Sequence, residues 1–164
     1  SGAFLYPYHN SGRQIGGLDY SQVLINLAKK IMPEAQFILS DASDLDLDNK
    51  YDVVLCHSAF QYFRDYDYAR NLIEKMIDKS NRKIAIFDIN CMSKKNDYHT
   101  IRSQGMSQEE YNSKYCGLDH QFYEKAWFIE IARDMNCSIE IFEHDFPKYA
   151  NSDLRFNAIL TKNM

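Results

Sequence analysis

The 164-residue chain lacks several signatures that would settle its class at once. No apolar run approaches the roughly 20 residues of a bilayer span, and no charged-then-apolar leader opens the sequence. Four cysteines, Cys56, Cys91, Cys116 and Cys137, lie far apart, with no CxxC pair and no Cys/His zinc spacing. Reduced thiols in a cytoplasmic protein, without a metal, are the expectation. Positive charge is in deficit, 19 Lys and Arg against 23 Asp and Glu, a net charge of -4. Phosphate backbones call for a basic face, so nucleic acid is not the expected partner.

What is present fits a single globular domain over residues 1–164, with no internal repeat and no linker. Hydrophobic residues make up 45% and charged ones 26%, with twelve Tyr and ten Phe. That aromatic load suits a core as well as a pocket for flat ligands. Strand-like and helix-like segments alternate. "QIGGL" runs into Ser21, an N-cap, followed by Leu24, Leu27, Ala28 and Ile31 at helical spacing until Pro33. "AQFILSDAS" and "YDVVLCHSAF" are short apolar strands, and residues 67–79 are helical, with Ala69, Leu72, Ile73, Met76 and Ile77 on one face. "RKIAIFDIN" is another buried strand, and residues 121–135 form another amphipathic helix. The chain closes with "SIEIFEH" and "DLRFNAILTK", joined by a loop containing Pro147 and expected to pair antiparallel. The fold class is therefore α/β: a doubly wound, mostly parallel sheet finished by an antiparallel strand pair. Residues 91–120 depart from the alternation. They are polar, with a capping box at Ser107 and Glu110 that predicts one short helix, and they read as a lid or substrate-contacting insertion.

In an open α/β sheet, ligands bind beyond the carboxyl ends of the strands. The residues there are Asp19 and Tyr20, Asp41 and Ala42, Cys56 to Ser58, and Asp88 with Asn90. An acid at a strand end can accept from both hydroxyls of a ribose, which fits Asp19. Tyr20 could lie on a purine face, Asp41 could accept from an exocyclic amine, and the N–H after it, at Ala42, could meet a ring nitrogen.

With those residues in place, the chain resembles the class I S-adenosylmethionine-dependent methyltransferases. "GLDYSQVLINLAKKIMPEAQFILSDASDLDL" and "YDVVLCHSAFQYF" carry the resemblance, which runs on through "IAIFDIN" to the closing strands. It implies S-adenosylmethionine as cofactor and methyl transfer, to O or N, of a small-molecule acceptor. It implies that Ser1-Gly2 ends a glycine loop whose earlier part, with the first central strand, is not within these 164 residues, and that Ala3 to Asn10 is the following helix. It also places Gly2, Asp19, Tyr20, Asp41, Ala42 and His57 around the cofactor, with His57 near its methionine end or the acceptor. A non-catalytic module of this fold, or another nucleotide-binding Rossmann-like enzyme such as a nicotinamide-dependent reductase, is the alternative.

Methyl transfer asks mainly for in-line positioning, with a base where the acceptor must lose a proton. His120 and His57 are the candidate bases, with His99 behind them. Tyr62, Asn90 and Tyr123 are the candidate acceptor contacts, and Tyr98 is a further tyrosine that could line the pocket. Cys56 and Cys91 read as small buried residues, not nucleophiles.

Overall fold

A computed structural model describes residues 2–146 and 148–163; the expectations for Ser1 and Pro147 lie outside them. The chain divides into two compact units, Ser1–Asp46 and Leu47–Met164.

The first unit comprises α1 (Tyr6–Asn10), β1 (Gly16–Asp19), α2 (Gln22–Ile31) and β2 (Gln36–Leu39). The Ser21 hydroxyl accepts the Leu24 N–H at 3.4 Å, as an N-cap should, and α2 stops two residues before Pro33. Its inner face packs Ile25, Ala28 and Met32 against Phe37 of β2, with Leu5, Ile15 and Ala35 around them. The two strands pair in parallel from Gly16↔Gln36 to Asp19↔Leu39. The helix expected over Ala3 to Asn10 is shorter. Residues 3–5 form a turn in which Leu5 and Tyr6 both donate to the Gly2 carbonyl, at 2.9 and 3.2 Å, and Pro7 sits in the first helical turn, where its missing N–H costs nothing.

The second unit builds a four-stranded sheet in the order β3-β4-β6-β5. Its strands are β3 (Tyr51–His57), β4 (Ser80–Asn90), β5 (Cys137–Glu143) and β6 (Arg155–Lys162). The β3–β4 pair is parallel, and β6 runs antiparallel to both β4 and β5. α3 (Tyr66–Lys79), capped by Asp65 at 2.6 Å from the Tyr68 N–H, buries Ala69, Leu72, Ile73 and Met76, the face its spacing predicts. It runs straight into β4. α6 (Lys125–Asp134) buries Phe128, Ile131 and Ala132, and Phe128 meets Phe156 of β6 edge-on, with centroids 5.6 Å apart.

The polar insertion holds two helices rather than the single expected one, α4 (Lys95–Ser103) and α5 (Gln108–Tyr115). They differ in attachment. α4 sinks Tyr98 into a cluster with Phe122 and Leu154, with Met92 alongside. α5 carries the expected Ser107–Glu110 capping box and buries no residue. Among the described residues, no helix is long and apolar enough to cross a membrane.

Candidate active site

The first unit gathers five of the expected site residues. Asp19 ends β1, and its carbonyl takes the Ser40 N–H at 3.2 Å, so the ends of β1 and β2 are locked side by side. One Asp19 oxygen, Oδ1, accepts the Ser21 N–H at 2.9 Å. That bond orients the carboxylate and leaves Oδ2 for a further donor. Asp41 caps the short turn Ala42–Asp44, its Oδ1 accepting the N–H of Ser43 at 2.9 Å and the Ser43 hydroxyl at 2.6 Å. Tyr20 is 77% exposed and presents a flat ring face to solvent. Gly2 has φ +69, and a Cβ there would stand 2.8 Å from the Met32 methyl. The left-handed backbone favours glycine, and a side chain there would displace the flexible Met32 end. Two carboxylates at the ends of adjacent parallel strands, an exposed aromatic ring and a left-handed glycine match what a nucleoside needs at a strand rim.

In the second unit the carboxyl ends of β3 and β4 carry a polar network centred on Asp88. Asp88 is buried (3% exposed) in an apolar strand, with φ 63, where the pairing to β6 slips between Ile86 and Ile89. Asp and Asn tolerate this conformation better than other side chains, and a bulge re-aims the residue it carries. The Asp88 N–H donates to Asn157 Oδ1 at 3.0 Å. Its carboxylate accepts the Ser58 hydroxyl at 2.6 Å and the Tyr149 hydroxyl at 3.3 Å. His57, one residue before Ser58, lies edge-on to Phe87, with centroids 6.4 Å apart. Burial pushes its pKa down, opposed by Asp88 and reinforced by His144, so the neutral imidazole is favoured.

His120 belongs to a second constellation of this unit. Its Nδ1 lies 2.6 Å from the Tyr98 hydroxyl, which in turn accepts from Arg102. Tyr62, 58% exposed, meets the His120 ring edge-on at 5.0 Å. Burial, then Arg102 and Arg155, lower the His120 pKa to about 4 against the opposing Asp119. The imidazole is therefore neutral at physiological pH. His99 packs edge-on against Tyr98 of this relay, with centroids 5.6 Å apart, while its Nδ1 bonds the Tyr111 hydroxyl at 3.1 Å.

Two of the expected acceptor contacts are placed differently from Tyr62. Tyr123 is fully buried and its hydroxyl donates to the Phe60 carbonyl at 2.9 Å, so it presents no surface to a ligand. It is a core residue, ringed by Phe60, Tyr66, Trp127 and Phe128. Asn90 is also buried; its Nδ2 donates to the Gln121 carbonyl at 2.8 Å, while Oδ1 has no partner among the described residues. Cys56, half-buried at the end of β3, has its thiol pushed up to about 12 by burial, which leaves it protonated and a poor nucleophile. The sequence reading gave no part to Arg155 or Tyr149. The signal for Arg155 was there: a lone guanidinium inside the apolar run "DLRFNAIL".

Comparison with known proteins bears on both units. Residues 1–78 match the family model described as a methyltransferase domain. Among solved structures, the N-methyltransferase NodS from Bradyrhizobium japonicum WM9, in complex with S-adenosylhomocysteine, superposes with a TM-score of 0.69 at 12% identity, over 99% of this chain and 74% of that one. The plantazolicin methyltransferase BpumL, with a desmethyl plantazolicin analogue and S-adenosylhomocysteine, gives 0.68 at 19% identity, over 99% and 73%. Magnesium protoporphyrin IX methyltransferase from Synechocystis PCC 6803, with bound S-adenosylhomocysteine, gives 0.65 at 16%, over 96% and 68%. The chain thus spans between two thirds and three quarters of the length of these proteins.

Proposed function

Because its first 78 residues match a methyltransferase domain and its length has the fold of the class I S-adenosylmethionine-dependent methyltransferases, we propose that this protein transfers a methyl group from S-adenosylmethionine to the O or N of a small-molecule acceptor. The observation that carries the reading is the pair of carboxylates, Asp19 and Asp41, at the carboxyl ends of two paired parallel strands. The donor set fits the cofactor: Asp19 Oδ2 for ribose hydroxyls, Asp41 and the Ala42 N–H for the adenine edge, Tyr20 for its face, and the left-handed Gly2 for close backbone approach. When bound, S-adenosylmethionine supplies an electrophilic sulfonium methyl.

The rest falls to the chain's own groups. In the second unit, His57 is assigned to the cofactor's methionine end or the acceptor, and His120 with Tyr62 to the acceptor. His120 would act through Nε2. If Tyr98, already accepting from Arg102, donates onward to Nδ1, then Nε2 carries hydrogen and orients an acceptor lone pair. In the other tautomer Nε2 is bare and takes the acceptor's proton. Residues 91–120 are assigned to covering the acceptor, with α4 as the fixed part and α5 as the movable one.

Calorimetry tests the reading. The protein is expected to bind S-adenosylhomocysteine and to prefer it to NAD. Tighter binding of NAD would make it a nicotinamide-dependent enzyme, and binding of neither would leave a non-catalytic module.

A further inference from the structure

Arg155 opens β6 and is almost sealed from solvent, at 4% exposure. A guanidinium carries five N–H donors and cannot shed its charge, so burial obliges it to find partners. Arg155 has few. The nearest carboxylate oxygen, Asp88 Oδ1, lies 3.7 Å from Nε, beyond hydrogen-bond reach. Nε and Nη1 are both buried without a hydrogen-bond partner among the described residues. Asp88 meanwhile gives its oxygens to Ser58 and Tyr149. It offsets the charge of Arg155 without filling its fork.

Three further observations surround this orphaned donor. Asn90, the cross-strand partner of Arg155, is fully buried with its Oδ1 unpartnered among the described residues, an acceptor on the same side of the sheet. Arg102 brings a second guanidinium, stacked over Tyr115 at 3.8 Å and donating to Tyr98, whose ring centre lies 5.9 Å from the Arg155 guanidinium carbon. Both cations depress the pKa of His120, so both fields reach the place assigned to the acceptor. Against these two cations stand the buried Asp88 and the solvent-exposed Asp119.

We propose that Arg155 anchors a carboxylate on the methyl acceptor, making the substrate a small organic acid. A planar carboxylate matches the guanidinium fork in geometry and charge. A single negative charge suits the setting, since Asp88 already offsets one of the two cations and would repel a dianion such as phosphate. The word acceptor rests on the methyltransferase reading; the anion site does not.

The test titrates the protein with benzoate, its neutral amide benzamide, and inorganic phosphate, and separately with S-adenosylhomocysteine. Benzoate is chosen because the exposed Tyr62 ring stands beside His120. Benzoate is expected to bind roughly 10-fold or more tightly than benzamide, and more tightly than phosphate. Arg155→Met, which removes the charge and keeps the apolar stem, should erase that preference while S-adenosylhomocysteine binds as before. If the variant fails to fold, the benzoate–benzamide comparison on the unaltered protein decides alone. Equal affinity for acid and amide, no binding of benzoate, or a preference for phosphate overturns the anchor. Benzoate binding without S-adenosylhomocysteine binding would keep the anchor and remove methyl transfer; the reverse would remove only the anchor.

Discussion

Ser58 and Asp88 face each other across the β3–β4 pair, both with left-handed backbones (φ 54 and 63), and are joined by a 2.6 Å hydrogen bond from the Ser58 hydroxyl. The Ser58 N–H also donates to the Phe87 carbonyl at 3.1 Å, so the turn is held by two bonds against its own strain. A non-glycine residue in this conformation costs about 1–2 kcal/mol. Ser58→Ala would keep that cost and lose the bond, whereas Ser58→Gly would lose the bond and relieve the cost. Urea unfolding should therefore find Ser58→Ala less stable than Ser58→Gly by about 1 kcal/mol. Equal stabilities would mean that the turn relaxes without its hydroxyl.

Asp88 is the counter-charge of a buried guanidinium. Asp88→Ala should destabilise the protein by about 3–5 kcal/mol, the scale of leaving one partner of a buried pair unpaired. Asp88→Asn keeps the left-handed preference and the hydroxyl contacts, so it should cost less. The ranking, read from denaturant midpoints, separates charge from backbone: similar losses for both variants would assign the whole effect to charge.

His120 should remain neutral through the physiological range. Its folded pKa, about 4, lies below the ordinary value of 6.5, so between these values the unfolded chain binds the extra proton. The neutral ring's contribution to stability is therefore complete above pH 6.5 and is lost as the pH falls towards 4. Imidazole resonances followed by NMR would show this directly, and a midpoint above 6 would contradict the placement of Arg102 and Arg155. His120→Ala should lower methylation by roughly 100-fold if the ring takes a proton, with S-adenosylhomocysteine affinity unchanged.

Asp19→Ala should weaken S-adenosylhomocysteine binding by about 1–3 kcal/mol, the range of charge-assisted hydrogen bonds. Calorimetry reads it. An unchanged affinity would move the ribose contact elsewhere.

Within residues 91–120, amide exchange should divide at the junction of the two helices. α4, pinned by Tyr98, should exchange slowly, and α5, with no buried residue, quickly. A bound acceptor should slow α5. Uniform protection throughout would make the insertion part of the core.

Much of this architecture was legible because burial writes itself into composition. "IAIF" in β4 is a continuous apolar run. In β3 composition overstated burial: "VVLC" located the strand, yet Val53 is 51% exposed and no β3 residue is buried. α2 and α3 announce themselves through Ser21 and through Ala69, Leu72 and Met76. α4 was not legible, because Tyr98 is its only buried residue and a single anchor has no period to detect. The closing strands were legible as an antiparallel pair, but not the insertion of β6 beside β4, since pairing partners are chosen in three dimensions. At the rim, residue type pointed to Asp19 and Asp41, which the fold sets at the end of β1 and just after the end of β2. Tyr123 was misplaced because a tyrosine reads alike in a core and in a pocket until its hydroxyl partner, here the Phe60 carbonyl, is known.

The strand order β3-β4-β6-β5 also constrains how the protein is made. β5 leaves the ribosome before β6, yet its ladder partner in the sheet is β6. A nascent chain that has emerged only through β5 contains all of β3 and β4 and a strand whose ladder partner has not yet been made. Translation must continue through Arg155 to Lys162 before the sheet closes from both sides at once. A stop codon or a stalled ribosome just ahead of that segment therefore does more than shorten an edge: it leaves β4 and β5 with raw ladder edges, the kind of surface that chaperones and neighbouring nascent chains bind.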